Sequence, residues 1–416
     1  MAGKKNKKSQ RTIVTPHDFY WEHLMSWLGK AQPAPGGWGV LLQELQTLLA
    51  SLLEEKNAGQ RLGYFERALT VLFERFAEIS GTPQEIEVQL KVGQAYENLG
   101  AWDHALAAYQ RAIALCDALR FIPQKSQALR WAGNVYSKQN LWQQAEQAYQ
   151  ESLQLCLRAG DVAGQAQAAN SLGILCFEQG ELAQARARWE QALELAEKAH
   201  ADNLIAVIYN NLGALANVQG RWDQALSYYG ESLPRFEATG DMSSMASTYH
   251  NMAMSYADNA NWAEASIYYE KSFRLAQQLG DVHLQTLVKL NRVELYLAIG
   301  DAALAEVLCQ QVLQAYQRMH DHLGEADACK FLGMINAKKR AWTKAKRHFE
   351  KSIRLALEFH HPLGEAEARW EYGRMLKQKG ATQNAREQYE QALALFRKVN
   401  ARVEVEKVQR EIKSYF

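Results

Sequence analysis

Apolar and polar residues alternate along this chain with two superimposed periods. Over short stretches the apolar residues fall at positions i, i+3, i+4 and i+7, which is the spacing of one face of an α-helix. Over longer distances Gly93 recurs as Gly133, Gly173 and Gly213, and this register holds without insertion in eight copies between residues 86 and 405. Such self-similarity is typical of arrays in which one small structural unit is stacked many times. The pattern therefore predicts an all-α chain built from repeated pairs of helices.

Three positions of the repeat hold the same kind of side chain in nearly every copy. An anchor position is small, a second position is alanine in every copy from Ala105 to Ala385, and a third position is usually aromatic. The anchors are Gly93, Gly133, Gly173, Gly213, Ala253, Val293, Gly333 and Gly373. The residues at the third position are Tyr109, Tyr149, Trp189, Tyr229, Tyr269, Cys309, Phe349 and Tyr389. Two small residues let antiparallel helices approach closely, and the ring fills the remaining space.

Two turn positions in each repeat hold residues that tolerate a left-handed backbone. At the first turn these are Gly100, Asn140, Gly180, Gly220, Gly300 and Gly380. At the second turn they are Gly160, His200, Gly240, Gly280, His320, His360 and Asn400. An aspartate follows the second turn in several copies, where it can cap the next helix. Each repeat is thus predicted to be a helix, a turn, a longer helix and a turn.

The small, alanine and aromatic positions together resemble the tetratricopeptide repeat family over residues 86–405. The period is longer than the usual one of about 34 residues, and the usual late proline is missing. This longer form is similar to the repeats of G-protein-regulator scaffolds, kinesin light chains and bacterial peptide-pheromone receptors. The resemblance implies a right-handed α-solenoid of eight 40-residue helix-turn-helix repeats, in which first helices line a concave groove. It also implies capped ends.

The sequence divides into four expected regions. We expect a basic disordered tail over residues 1–16, an N-terminal helical region over 17–85, the repeats over 86–405, and the end of a C-terminal capping helix over 406–416. The N-terminal helices have three interpretations: a cap for the first repeat, a detachable module, or a segment that docks into a groove. The third interpretation rests on the aromatic stretch from Phe19 to Leu28, which also offers a route to self-association.

Composition narrows the class of protein. Lys and Arg number 47 against 46 Asp and Glu, so the chain is neither a globally basic nucleic-acid binder nor a strongly acidic one. Five cysteines without a C-x-x-C pair indicate reduced thiols rather than a disulfide framework or a zinc site. We expect a cytoplasmic protein, because no apolar segment follows the N-terminal lysines and no apolar run reaches membrane-spanning length.

Asparagines recur at positions that helix geometry places on the groove face, namely two residues before the anchor. These are Asn211, Asn251 and Asn291, with Asn170, Asn210 and His250 one position earlier. An amide both donates and accepts, so a row of amides can hold the backbone of an extended peptide. The resemblance to the families named above extends this role to Asn211, Asn251 and Asn291. The alternative is that these amides bond to neighbouring helices or to water.

Aromatic and basic residues supply further groove candidates. Trp131, Phe177, Phe331 and Trp370 are candidates for anchoring pockets, and packing between repeats is the alternative for each. A basic cluster of Lys330, Lys338, Arg374 and Lys377 favours an acidic peptide or a terminal carboxylate. Alternatively, the basic cluster is a solvated outer face, or it binds a nucleic-acid backbone. The nucleic-acid interpretation is less favoured because the total charge of the chain is balanced.

Signals for catalysis are poor. The paired histidines near residues 320 and 360 fall at the turn positions, and no phosphate-binding, metalloprotease or nucleophile-elbow motif occurs. We expect no enzyme, no metal and no cofactor. The sequence predicts a non-catalytic scaffold or adaptor that binds an extended, acidic segment of a partner protein. The alternative is a peptide-gated regulator whose superhelix changes shape on ligand binding and controls the N-terminal helices.

Overall fold

The structure is a computed structural model that describes residues 81–98, 100–319, 321–399 and 401–415. Seventeen α-helices and no strands occur within these residues. The chain forms two compact units, of which the first ends at Ser171 and the second begins at Leu172. The basic tail, the aromatic stretch and most of the N-terminal helical region lie outside the described residues.

The helices come in antiparallel pairs, numbered so that odd labels are first helices and even labels are second helices. The first unit contains α1 (Pro83–Asn98), α2 (Trp102–Leu119), α3 (Ile122–Lys138) and α4 (Trp142–Ala159), and α5 (Val162–Glu178) spans the boundary. The second unit contains α6 (Leu182–Lys198), α7 (Asp202–Val218), α8 (Trp222–Thr239), α9 (Met242–Asp258), α10 (Trp262–Gln278), α11 (Val282–Ala298), α12 (Ala302–Met319), α13 (His322–Lys338), α14 (Trp342–Glu358), α15 (Pro362–Lys379), α16 (Thr382–Lys398) and α17 (Arg402–Tyr415). Consecutive packing of such pairs is the architecture of a tetratricopeptide-like α-solenoid, as predicted.

The predicted contact between the anchor and the aromatic ring is confirmed. A Cβ atom added to Gly213 would lie 2.4 Å from Cε1 of Tyr229, so only glycine fits beside this ring. The recurring alanines of the repeat, from Ala105 to Ala385, are all completely buried. Where the anchor is the larger Val293, the facing residue is the smaller Cys309, and both are buried. The pair therefore preserves total volume rather than a particular residue type.

The predicted left-handed turns are confirmed wherever they fall on described residues. Among non-glycine residues, φ is 59° at Asn140, 52° at His200 and 52° at His360. His320 and Asn400 lie outside the described residues. The same conformation occurs where the sequence gives no signal for it, at Arg120, Ala260 and Arg340. At these positions the packing of the flanking helices imposes the turn, at a cost in backbone strain.

Aspartate caps begin several first helices as predicted. The Asp281 carboxylate accepts a hydrogen bond from the backbone N–H of Leu284 across 2.8 Å. Asp161, Asp241 and Asp321 do the same for the residues three positions later. Each such bond satisfies one of the free N–H groups in the first helical turn.

Helix α17 covers the C-terminal end of the array. Val408 is buried against α16, and Val405 and Ile412 pack beside it. The opposite side of α17 is polar and exposed, with Glu406, Lys407, Arg410 and Lys413. An apolar side turned inward and a charged side turned outward are what a capping helix requires.

Candidate peptide-binding face

Polar side chains on successive first helices bond to one another at a constant spacing. In the second unit, Nδ2 of Asn251 donates to Oδ1 of Asn210 across 3.3 Å, 41 residues away. Nδ2 of Asn291 donates to Nε2 of His250 across 2.8 Å at the same spacing. We call the side of the first helices that carries these contacts the ladder face. The bonds join neighbouring repeats, which was the alternative considered for these amides.

His250 can accept this bond because its ring is neutral. The side chain is buried, and burial lowers its pKa from 6.5 to about 4. Asn170 is buried as well. Both residues therefore offer little surface to a ligand.

Three of the predicted amides, Asn211, Asn251 and Asn291, are half-buried on the ladder face. For Asn251 and Asn291 the donor end of the amide is used in the bonds to the preceding repeat. No hydrogen bond to Oδ1 of either residue occurs in the described part of the chain. Their acceptor ends therefore remain available, held in fixed positions by the donor ends.

Three of the four aromatic candidates pack against the protein's own side chains. The ring centroids of Trp131 and Tyr109 lie 5.9 Å apart in the first unit. In the second unit those of Phe177 and Trp189 lie 5.7 Å apart. Phe331 is buried in the core. The contact of Trp131 is the packing between repeats that was the alternative for these residues, whereas Phe177 packs within its own repeat.

The fourth aromatic candidate, Trp370, belongs to a network that holds α17. Its Nε1 donates to Oε2 of Glu411 across 3.1 Å, and the hydroxyl of Tyr389 donates to the same oxygen across 3.0 Å. Arg374 lies between Glu411 and Glu371, with its Nε 3.2 Å from Oε2 of Glu411 and its Nη1 2.6 Å from Oε1 of Glu371. We call Arg374, Glu371 and Glu411 the Arg374 triad. Burial alone would lower the pKa of Arg374, but the two carboxylates raise it.

Lys330 forms an equivalent group with acidic partners. Its Nζ lies 3.1 Å from Oδ1 of Asp327 and 2.5 Å from Oε2 of Glu367. We call these three residues the Lys330 triad. Burial alone would lower the pKa of Lys330, whereas the charges of Glu367 and Asp327 raise it. Each triad holds one cation and two carboxylates, so neither presents a net positive charge to a ligand.

The other two basic candidates bind backbone carbonyl groups. Nζ of Lys338 donates to the carbonyl of Leu297 across 2.7 Å, and Nζ of Lys377 donates to that of Tyr415 across 3.1 Å. No carboxylate pairs with Lys338 among the described residues. Of the predicted basic cluster, Lys338 thus keeps a charge that a ligand could use.

Sequence reasoning missed two carboxylates on the same face. Oδ2 of Asp258 accepts a hydrogen bond from Nδ2 of Asn217 across 2.9 Å, again at the spacing that joins neighbouring repeats. Glu294 follows Asn291 by three residues, which places it on the same side of α11. The side chain of Glu294 is exposed at the surface. Partial desolvation and the negative charge of Asp258 raise its pKa, whereas the positive charge of Lys330 lowers it. Its position, one residue after the anchor, was the available signal.

The described residues form neither a metal site nor a membrane-spanning helix. No group of three or more His, Cys, Asp or Glu suited to a metal occurs among the residues that the structure describes. None of the described helices is both long enough and apolar enough to span a bilayer.

Comparison with known proteins identifies the repeat. One tetratricopeptide repeat model matches residues 124–198 and 204–278, and another matches residues 90–121. No curated protein matches the chain. The fold is similar to that of the Rap conjugation gene regulator of plasmid pLS20, solved in complex with the Phr* peptide. The identity there is 14%, the match covers 82% of this chain and 95% of that one, and the TM-score is 0.56.

Two further solved structures share the fold. Aspartyl phosphate phosphatase F from Bacillus subtilis is 12% identical, with 85% of this chain and 96% of that one covered and a TM-score of 0.55. The apo quorum sensor NprR from B. thuringiensis is 14% identical, with 80% and 92% covered and a TM-score of 0.54. At such identities the likeness establishes the fold. The chain therefore contains tetratricopeptide repeats, and its helix pairs continue in the same register beyond the matched residues.

Proposed function

We propose that this protein is a non-catalytic scaffold that binds an extended peptide segment of a partner protein on the ladder face of its second unit. The observation that carries the proposal is the state of Asn251 and Asn291. Each amide is fixed through its donor end and presents an unused acceptor. Binding to groups that are already ordered costs less conformational entropy than binding to mobile ones.

The spacing of the amides suits an extended chain. Neighbouring first helices pack about 8–10 Å apart, and an extended peptide advances about 3.3 Å per residue. Amides in consecutive repeats therefore meet every third residue of the peptide, whose N–H groups they accept. Each bond contributes about 1 kcal/mol net, or roughly fivefold in affinity.

The acidic character predicted for the partner now depends on Lys338. The Lys330 and Arg374 triads neutralise their cations internally, whereas Lys338 is bound to a neutral carbonyl. We place an acidic residue or a terminal carboxylate of the segment beside Lys338, because a charge-assisted hydrogen bond there needs no loss of an existing ion pair.

The second candidate is a peptide-gated regulator. It is favoured by two of the similar structures, one a gene regulator bound to a peptide and the other a quorum sensor. A bound segment would then change the arrangement of the repeats. Small-angle scattering of the full chain with and without a selected peptide separates the two candidates, since a scaffold keeps its dimensions.

Selection of linear random peptides displayed on phage against the full chain tests the proposed function. Peptides selected by the wild type should bind the variant Asn251→Ala/Asn291→Ala about tenfold or more weakly, as measured by fluorescence anisotropy. Gln310→Ala, an exposed amide on the second helix α12, is the matched control and should bind like the wild type. Equal affinity of all three proteins would place the peptide elsewhere.

A further inference from the structure

Two basic side chains occupy the same position of the repeat in different units but have different neighbours. Arg130 on α3 of the first unit and Lys330 on α13 of the second unit each lie three residues before an anchor glycine. Lys330 is neutralised by the two carboxylates of its triad. At the equivalent positions around Arg130 the chain has the neutral amides Gln127 and Gln167. The first unit therefore keeps the cation of such a triad and lacks its carboxylates.

Neutral groups hold the guanidinium of Arg130 in place. Its Nη1 donates to Oγ of the buried Ser126 across 3.0 Å, and its Nη2 donates to Oε1 of Gln167 on α5. Oγ of Ser126 lies 2.8 Å from Oγ of the buried Ser152, so the first contact is fixed from the interior. No ion pair to Arg130 occurs within the described residues. A guanidinium has five N–H donors, so donors remain for a further acceptor.

The other ionisable groups near Arg130 do not replace the missing carboxylates. Asp161 acts on it electrostatically, but Oδ1 of Asp161 accepts the N–H of Gly164, and no ion pair joins the two side chains in the described part of the first unit. Burial raises the pKa of the Cys156 thiol, which therefore stays uncharged near neutral pH. Burial lowers the pKa of Arg130, whereas the carboxylates around Lys330 outweigh the effect of burial and raise its pKa. A desolvated cation without a counter-ion is unfavourable, and an anionic ligand relieves that cost.

We infer that Arg130 forms a second binding site, in the first unit, for a carboxylate group of a peptide ligand. The ligand carboxylate takes the part that Glu367 plays for Lys330. A planar guanidinium can pair two N–H groups with the two oxygens of a carboxylate. One cation matches the single charge of a carboxylate better than the higher charge of a phosphate monoester. This site does not depend on the amides of the second unit, so it goes beyond the proposed function.

Selection of random peptides displayed with a free carboxyl end tests this site, with the full-length variant Asn251→Ala/Asn291→Ala as the target. Adding Arg130→Gln to that target should weaken binding of the selected peptides about tenfold or more, as measured by fluorescence anisotropy. Two labelled probes locate the carboxylate: in one, Asp and Glu become Asn and Gln, and in the other the C-terminus is amidated. One of them should bind the target about tenfold more weakly than the parent peptide, and this difference should shrink to about twofold or less with Arg130→Gln. Undiminished binding of both probes, or a target that selects no peptide, would overturn the inference and leave the proposal for the second unit intact.

A second variant blocks the site without altering Arg130. Gln127→Asp/Gln167→Glu, made in the same target, rebuilds the carboxylates of the Lys330 triad around Arg130. It should raise the melting temperature, because the guanidinium gains counter-ions, and weaken binding of the selected peptides about tenfold or more. The control, Gln147→Asp/Gln154→Glu, adds the same charge at exposed positions of the second helix α4 and should bind like the target. An unchanged melting temperature would mean that Arg130 is already neutralised, and unchanged affinity would mean that it does not contact the ligand. Either result would overturn the inference.

Discussion

Asn291 donates a hydrogen bond to Nε2 of His250 and thereby joins α11 to α9 across 2.8 Å. The bond requires a neutral imidazole, and burial keeps the ring neutral by lowering its pKa from 6.5 to about 4. In the unfolded chain the same ring takes up a proton near pH 6.5. The unfolded state therefore binds more protons between these two values.

The first prediction is a loss of stability in acid that depends on His250. As the pH falls from 6.5 towards 4, the free energy of unfolding should fall by up to about 3 kcal/mol on account of this residue. His250→Asn introduces the residue that occupies the equivalent position as Asn170 and Asn210, and it keeps an acceptor for Asn291. Urea midpoints at pH 7 and pH 5 should differ more for the wild type than for the variant. Identical pH dependence would show that the ring is not held neutral.

The second prediction concerns two glycines of one helix pair. Gly213→Ala should destabilise the protein by about 1–3 kcal/mol, because the new Cβ would lie 2.4 Å from the Tyr229 ring. Gly230→Ala, on the paired helix α8, meets nothing within 4 Å and should stabilise the protein by about 0.5–1 kcal/mol through helix propensity. Thermal melts followed by circular dichroism measure both. Shifts of the same sign would contradict the packing described for the anchor.

The third prediction concerns the attachment of α17. Glu411→Ala removes the acceptor shared by Trp370, Tyr389 and Arg374, and with it the hydrogen bonds that join these three residues to α17. Local opening of α17 should become easier by about 2 kcal/mol, so its amides should exchange with solvent roughly thirtyfold faster. Glu406→Ala, whose side chain is 71% exposed, is the control on the same helix. Hydrogen exchange by mass spectrometry that shows equal rates for both variants would argue against the network.

Most of the fold could be predicted from the sequence because the repeat imposes it. The contact between Gly213 and Tyr229 was readable because a small residue and a ring recur at one spacing. The positive φ at Ala260 was not readable, because nothing in alanine favours that conformation. At Ala260 the packing register of the neighbouring helices determines the backbone conformation, and the local sequence does not indicate it.

The candidate site was less predictable, because it depends on contacts between repeats. The amide rows were found, but the bond from Asn251 to Asn210 uses a spacing one residue longer than the period. Lys330 looked available for a ligand because its partner Glu367 lies almost a whole repeat away in sequence. Charge counted along the chain cannot show which ions are already paired across helices.

Within the first helices, some positions bond to the neighbouring repeat and others do not, and this difference affects how the sequence can change. Asn251 and Asn291 form hydrogen bonds between neighbouring repeats, so replacing them changes the packing of the repeats as well as the binding of a peptide. In the row that follows the anchor, Ala214, Met254 and Glu294 make no such bond within the described residues, and the residue type there changes from one repeat to the next. Mutation and laboratory evolution can therefore retarget this row, one helix at a time, while the architecture stays constant.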